Sequence, residues 1–137
     1  MNERQKKYKQ QNKLYLEQKA KEDGVVELSS GVLCRKLKQG SGSVCAKPNS
    51  IVFVHYTGRL IDGTVIDSTE DGTSLPACFV VNQLIMGWQI ALTRMREGDR
   101  WEIYIPYEYG YGNKRVDDIP AFSTLVFELE LVKMERR

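Results

Sequence analysis

Histidine, paired cysteines and long apolar runs are scarce in this chain of 137 residues. It has one histidine, His55, and three cysteines, Cys34, Cys45 and Cys78, which follow no C-x-x-C spacing. Three scattered cysteines indicate no disulfide framework, and a single histidine indicates neither a zinc site nor a Cys/His nucleophile pair. The sequence therefore predicts no metal and no cofactor, and it favours a reducing compartment.

Segments that would direct the chain to or through a membrane are also missing. No apolar run approaches the length of a membrane span, and Met1 is followed by a polar run rather than by the apolar stretch of a secretory signal. As printed, the chain is expected to be cytoplasmic. If the printed sequence begins inside a longer one that carries a targeting segment, a periplasmic or cell-surface location is expected instead.

Charge divides the chain into two regions. Residues 2–23 contain seven Lys or Arg and four Asp or Glu, whereas the remainder contains thirteen and fourteen. The first region is rich in helix-forming Lys, Gln and Glu, and it ends at Asp23-Gly24, where glycine can cap a helix. We therefore predict a helix from about Glu3 to Glu22.

The sequence does not decide what this helix packs against. Its few apolar residues include Tyr8 and Tyr15, which stand seven apart and could share a seam too narrow to predict a coiled coil. One interpretation is a solvated helix that lies against, or projects from, a monomeric domain; the other is a partner-binding or dimerising stalk. Nucleic acid is not an expected partner, because the lysines lack aromatic residues at base-stacking spacing.

Short strand-like runs follow the helix. The predicted strands include Val32 to Lys38, Ile51 to Leu60, Arg100 to Ile105 and Thr124 to Lys133, of which the last two alternate apolar and polar residues. Between them, apolar residues spaced three and four apart predict a short amphipathic helix within Gln83 to Met95. The fold class is therefore α+β, with one antiparallel sheet and a single helix packed on its apolar face.

The stretch from Val54 to Ser68 is the most informative, because Asp62-Gly63 predicts a tight hairpin turn that joins two strands. This hairpin resembles the signature of the FKBP-type peptidyl-prolyl cis-trans isomerases. Further matches to that family follow in the required order: Leu84 to Trp88 (LIMGW), Tyr109 to Gly112 (YGYG), Ile119-Pro120, and Leu125 to Leu131 (LVFELEL).

The resemblance implies a domain organisation. Residues 21–26 (KEDGVV) are similar to the junction between a long helix and the isomerase domain in the macrophage infectivity potentiator-like subgroup. Residues 1–23 would then be a shortened stalk, and residues 24–137 an isomerase domain in which a bent antiparallel β-sheet wraps around one short α-helix. A monomer is favoured because most of the usual stalk is missing, with a homodimer through this helix as the alternative.

The resemblance also implies an activity, the catalysed rotation about Xaa-Pro bonds in proline-containing peptides and unfolded proteins. The barrier to this rotation is about 18–20 kcal/mol and consists mainly of lost amide resonance. An apolar pocket that excludes water favours the twisted amide over the planar one. A proline-binding or chaperone-like module with little catalytic turnover is the alternative.

Catalytic and substrate-binding roles are carried over by motif. The resemblance implies that Tyr56, Trp88 and Phe127 form the walls and floor, that Tyr111 donates to the carbonyl before proline, and that Asp67 bonds a tyrosine and presents a carboxylate. The substrate-binding residues that it implies are Ile66, Phe79, Leu84, Ile85 and Ile119, with the backbone N–H of Ile85 placed to bind a carbonyl.

Simpler interpretations exist for several of these residues. From periodicity alone, Trp88 and Phe127 would be ordinary core residues. Asp67 could be a strand-end residue that bonds its own backbone. His55 is expected to be a hydrogen-bonded structural residue, because rotation about an amide needs no general base.

Two positions depart from the family pattern. Ile66 stands where most members have Phe, so one aromatic wall is missing and binding of the macrolide-type inhibitors that many relatives accept is expected to weaken. Ala121 follows Pro120 where a second proline is common, which leaves this loop less restrained.

Overall fold

The computed structural model describes residues 1–70 and 75–135. Its elements are two α-helices and seven strands: α1 (Glu3–Lys19), β1 (Val25–Ser29), β2 (Val32–Lys38), β3 (Ile51–Arg59), β4 (Val65–Ser68), β5 (Ala77–Val80), α2 (Met86–Leu92), β6 (Arg100–Ile105) and β7 (Leu125–Glu135). Single turns of 3₁₀ helix lie at Val81–Gln83 and Tyr107–Tyr109. The strands form one antiparallel sheet in the order β1-β2-β6-β7-β3-β4, and β5 also pairs with β3. The predicted α+β class is confirmed.

Four strands lie at or close to the bounds that the sequence predicts. β2 and β6 have the predicted bounds, and β7 starts one residue later and ends two residues later than predicted. On β7, Leu125, Phe127, Leu129 and Leu131 are buried on the inner face as expected. β3 ends at Arg59, because the Leu60 N–H already bonds the Thr64 carbonyl across the hairpin turn.

The central helix is shorter than the spacing of its apolar residues predicts. The prediction covered Gln83 to Met95, whereas α2 runs from Met86 to Leu92. Ile85 precedes it in an extended conformation (φ −58°, ψ 151°), and the backbone N–H of Met95 bonds the carbonyl three residues earlier, which tightens the end into a turn. Trp88, Ala91 and Leu92 of this helix are buried against the sheet.

The N-terminal helix lies against the domain. α1 begins at Glu3 as predicted and ends at Lys19, three residues before the predicted end; Gly24, at φ +84°, then turns the chain into β1. A reciprocal pair of hydrogen bonds between Asn2 and Gln5 caps its start, a capping box that the charge pattern did not reveal. Its domain-facing residues recur at helical spacing: Tyr8, Lys9, Asn12, Tyr15, Leu16 and Lys19 are half-buried or buried.

Contacts of α1 account for one burial that the sheet pattern does not explain. Tyr104 lies on the outer face of β6, yet it is fully buried. The ammonium group of Lys19 lies 5.2 Å from the centre of the Tyr104 ring and 5.3 Å from that of Tyr15. Glu22 forms ion pairs with Lys19 and Arg35. The seam of Tyr8 and Tyr15 therefore faces the domain. In the described part of the chain, no helix is both long enough and apolar enough to cross a membrane.

Gly87 allows the close approach of α2 to β6. A Cβ atom at this position would lie 2.5 Å from Ile105 Cγ2. Within an exposed helix, replacement of glycine by alanine gains about 1 kcal/mol of stability. Here we expect Gly87→Ala to lower the free energy of unfolding by about 1–3 kcal/mol, because the methyl group overpacks the core. Urea denaturation measures the change.

Met86→Ala is the matched control, since Met86 is the neighbouring helical residue and is half exposed. We expect this variant to unfold at nearly the wild-type urea concentration. A Gly87→Ala protein that is more stable than the wild type would contradict the packing argument.

Candidate active site

Four aromatic side chains from four elements meet between α2 and the sheet; we call Tyr56, Phe79, Trp88 and Phe127 the aromatic cluster. The Trp88 ring centre lies 4.9 Å from that of Tyr56, 5.2 Å from that of Phe127 and 5.9 Å from that of Phe79, with interplanar angles of 81–89°. These edge-to-face contacts are the favoured geometry of aromatic pairs. Trp88 is thus the central ring of a largely buried apolar site.

The pairing of β3 with β7 explains how the cluster is assembled. Gly58 of β3 stands opposite Phe127 of β7, and a Cβ atom on Gly58 would lie 2.4 Å from Phe127 Cε1. The absence of a side chain at Gly58 therefore makes room for the Phe127 ring. Its contribution was missed at the sequence level, because only the strand register reveals which residue faces this glycine.

Asp67 and Tyr56 form the polar edge of the cluster. The Tyr56 hydroxyl donates to Asp67 Oδ2 at 2.7 Å, and Asp67 Oδ1 accepts from the Ser68 N–H at 2.9 Å. Asp67 thus makes both the bond to tyrosine and the local backbone bond that the sequence offered as alternatives. Its side chain is exposed, so solvent also reaches the carboxylate. Burial, and secondly Asp67, raise the pKa of Tyr56 well above its ordinary value of 10.0, so its hydroxyl remains a donor at neutral pH.

Tyr111 supplies a second hydroxyl. It follows the 3₁₀ turn at Tyr107–Tyr109 and is 40% exposed. Burial raises the pKa of Tyr111, with smaller contributions from Asp67 and Asp117, so this hydroxyl also stays protonated. Within residues 1–70 and 75–135 it has no hydrogen-bond partner, which leaves the donor available to a ligand.

The backbone before α2 provides another available donor. The N–H of Ile85 donates to no atom of the residues that the structure describes. This position is fixed, because the Ile85 carbonyl accepts the N–H groups of Trp88 and Gln89, and Gln89 Nε2 donates to the Leu84 carbonyl at 2.7 Å. A fixed, unpaired N–H beside an apolar floor is suited to bind a carbonyl oxygen.

The other residues assigned by motif surround this site. Ile66, Phe79, Leu84 and Ile85 are half-buried and pack against the buried core that contains Trp88, whereas Ile119 is itself buried. We call the half-buried Ile66, Leu84 and Ile85, together with exposed Tyr111, the rim. Asp67 also reaches the hydroxyls of both Tyr56 and Tyr111 electrostatically. The structure thus brings these residues to one region of the domain.

Trp88 carries a feature that sequence reasoning did not reveal. Its indole Nε1 is buried and has no hydrogen-bond partner among the described residues. Leaving such a donor unpaired costs about 1–3 kcal/mol. The Trp88 ring therefore lies in apolar surroundings that leave its one polar group unpaired.

The side chain of His55 is held by a hydrogen bond. His55 Nδ1 is hydrogen-bonded to Thr69 Oγ1 at 3.2 Å, and the same hydroxyl accepts the Tyr56 N–H at 2.9 Å. The histidine therefore helps to tie β3 to the residue that follows β4. Within the described ranges, no group of three or more His, Cys, Asp or Glu residues could hold a metal ion.

Comparison with known proteins identifies close relatives. The model of the FKBP-type peptidyl-prolyl cis-trans isomerase family matches residues 42–132. The FKBP-type 22 kDa peptidyl-prolyl cis-trans isomerase of Escherichia coli is 49% identical over 121 residues, which cover 88% of this chain and 58% of that protein. The macrophage infectivity potentiator of Trypanosoma cruzi is 41% identical over 135 residues, which cover 97% and 68%.

A solved structure shares the whole architecture. The peptidyl-prolyl cis-trans isomerase of Pseudomonas syringae pv. tomato superimposes with a TM-score of 0.88 at 31% identity, and the match covers 99% of both chains. The two curated relatives are longer, so the chain spans between 58% and 68% of their length.

The bond between Tyr56 and Asp67 predicts a pH dependence of stability. The folded-state pKa of Tyr56 is raised, so its stabilising contribution is complete below pH 10 and is lost as the pH rises above the ordinary tyrosine pKa of 10.0. The wild type is expected to be more stable than Tyr56→Phe at pH 7, and this difference should shrink from pH 10 upwards. Guanidinium denaturation of both proteins at a series of pH values measures it; a difference that stays constant would contradict the assignment.

Proposed function

Because the chain belongs to the FKBP-type peptidyl-prolyl cis-trans isomerase family, we propose that it catalyses rotation about Xaa-Pro bonds in peptides and unfolded proteins. The observation that carries this proposal is the aromatic cluster with two unpaired donors beside it, the Ile85 N–H and the Tyr111 hydroxyl. An apolar floor and carbonyl-binding donors are what the rotation of an amide requires, since no atom is transferred.

In the proposed mechanism the proline ring lies on Trp88, between Tyr56 and Phe127. The apolar surroundings disfavour the planar amide, whose charges are separated, relative to the twisted amide, in which resonance is lost. The Ile85 N–H and the Tyr111 hydroxyl hold carbonyl oxygens of the substrate so that rotation is confined to the C–N bond. Asp67, fixed by the Tyr56 hydroxyl, presents its carboxylate near the twisting carbonyl carbon.

Substrate preference follows from the rim. Ile66, Leu84 and Ile85 offer half-buried apolar surface, so an apolar residue before the proline is the proposed preference. The proposed catalytic domain comprises residues 24–137, of which 71–74 and 136–137 lie outside the described residues, and residues 1–23 form an extension.

Assembly and location belong to the same proposal. A monomer is favoured, because the apolar residues Tyr8 and Tyr15 of α1 face the domain rather than a second copy. Dimerisation through this helix would have to use its outer surface, where Leu14 is exposed. The free thiols of Cys34, Cys45 and exposed Cys78 favour the cytoplasm over the periplasm or cell surface, since an exposed thiol is open to oxidation there.

A protease-coupled assay on a short Xaa-Pro peptide tests the activity. We expect the wild type to accelerate the slow isomerisation phase, and we expect Tyr111→Phe to lower kcat/KM about three- to tenfold through the loss of one hydrogen bond. Tyr107→Phe is the matched control, because its ring packs on Phe122 instead of joining the aromatic cluster. Wild-type protein that binds unfolded chains without shortening the slow phase would identify a proline-binding or chaperone-like module instead.

A second prediction concerns Ile66 and the binding of macrolide-type inhibitors. Ile66→Phe adds an aromatic wall at the rim, and it is expected to tighten macrolide binding about two- to tenfold, as measured by isothermal titration calorimetry. Val65→Phe is the control, because Val65 is the preceding strand residue, points to the opposite face and is 52% exposed. Equal affinities in the wild type and both variants would place the macrolide away from Ile66.

A further inference from the structure

One polar residue of α1 is buried. Asn12 is 2% exposed, and both ends of its side-chain amide are used. Nδ2 donates to the Tyr8 carbonyl at 2.8 Å within the helix, and Oδ1 accepts the backbone N–H of Thr124 at 2.7 Å. Thr124 is itself 1% exposed, so in the folded protein its N–H depends on this acceptor. Asn12 therefore fixes the backbone immediately before β7.

A second bond ties the same segment to α1. Ser123 Oγ donates to the Pro120 carbonyl at 2.7 Å and lies 2.8 Å from the Tyr8 hydroxyl. A serine hydroxyl has one proton, so in this arrangement the Tyr8 hydroxyl donates to Ser123 Oγ. Through Ser123, α1 thus also holds the backbone at Pro120, which follows Ile119.

Ring contacts provide a third tie. The ammonium group of Lys9 lies 5.0 Å from the centre of the Phe122 ring and 5.7 Å from that of Tyr107. The two rings pack edge to face with their centres 5.1 Å apart. Phe122 has φ +68°, a left-handed conformation that is rare for a bulky residue and needs external support. α1 covers the residue in this unfavourable conformation.

The tied segment reaches the site. The Phe122 N–H donates to the Gly112 carbonyl at 3.1 Å, and the Gly112 N–H donates to the Tyr107 carbonyl at 2.9 Å. Both bonds are made by Gly112, the residue that follows Tyr111, whose hydroxyl is one of the two available donors. The segment from Tyr107 to Thr124 therefore carries Tyr111 and Ile119 on a frame that is fastened to α1 at Tyr107, Phe122, Ser123 and Thr124.

From this geometry we propose that Asn12 is a positioning residue for the isomerase reaction: it holds the segment 107–124 in the conformation that places Tyr111 and Ile119 at the aromatic cluster. This inference rests on the proposed function for its catalytic consequence. Its structural part, the coupling of α1 to the segment, is independent of activity. The charged helix is thus part of the catalytic unit, although none of its residues has been assigned a contact with the substrate.

The test replaces Asn12 by alanine in the full chain. Asn12→Ala removes the acceptor of the buried Thr124 N–H, and kcat/KM in the peptide assay is expected to fall about tenfold through misplacement of Tyr111. Asn12→Asp keeps the oxygen acceptor for the Thr124 N–H but loses the donor to the Tyr8 carbonyl, so it is expected to recover only part of the loss. Gln11→Ala is the matched control, because Gln11 is the adjacent, exposed residue of the same helix. All assays are run at a temperature at which circular dichroism shows each variant to be folded.

A second readout does not depend on activity. In ¹H–¹⁵N correlation spectra, Asn12→Ala is expected to shift the amide signals of Tyr111, Gly112 and Ile119, whereas Gln11→Ala leaves them in place. If Asn12→Ala does not fold, Tyr8→Phe serves instead, since it removes only the hydroxyl that binds Ser123.

The outcomes separate the two proposals. A fall in kcat/KM with shifted Tyr111 and Ile119 signals, smaller in Asn12→Asp than in Asn12→Ala, supports the positioning role. A folded Asn12→Ala protein with wild-type kcat/KM and unchanged signals overturns it. A wild type without isomerase activity overturns the proposed function, and the amide signals then decide alone whether α1 holds the segment.

Discussion

The edge-to-face packing of Trp88 is the interaction on which the rest of the structure depends. α2 has seven residues, too few to be stable as an isolated helix in water. It persists because its indole ring lies among aromatic side chains from three strands and because Gly87 lets its backbone approach β6. The Trp88 ring therefore forms both the floor of the site and the centre of the core.

This arrangement determines where polar chemistry is found. The buried rings exclude water, so hydrogen-bonding groups stand at the margin: the Tyr56 hydroxyl with Asp67, the Ile85 N–H and the Tyr111 hydroxyl. Asp67 remains in contact with solvent, which avoids the cost of burying a carboxylate. The indole N–H of Trp88 is the exception, since it is buried and has no hydrogen-bond partner among the described residues.

Local patterns predicted both helices and most strands but missed β1 and β5, and tertiary contacts set the limits and partners of the elements. Alternation located β6 and the inner face of β7, because burial on one face leaves a period of two in the sequence. The spacing of apolar residues predicted an α2 that is longer than the observed helix. Leu84 and Met95 lie in the turns that flank the helix, and their apolar side chains pack on the core. Gly58 and Asn12 had no recognisable signal, because their roles depend on Phe127 and Thr124, which are distant in sequence. Tyr111 was found through motif resemblance alone.

The sharing of Trp88 between core and site limits how such a domain can diversify. A substitution at the floor is expected to alter ligand recognition and stability together, because Trp88 is buried in the core and also forms the floor of the proposed site. The rim is free of this restriction, because its half-buried residues contribute less to the core. Ile66, at which the FKBP resemblance leads to the expectation of phenylalanine, lies on that rim. Changes in ligand preference that leave stability intact are therefore expected at the rim rather than at Trp88.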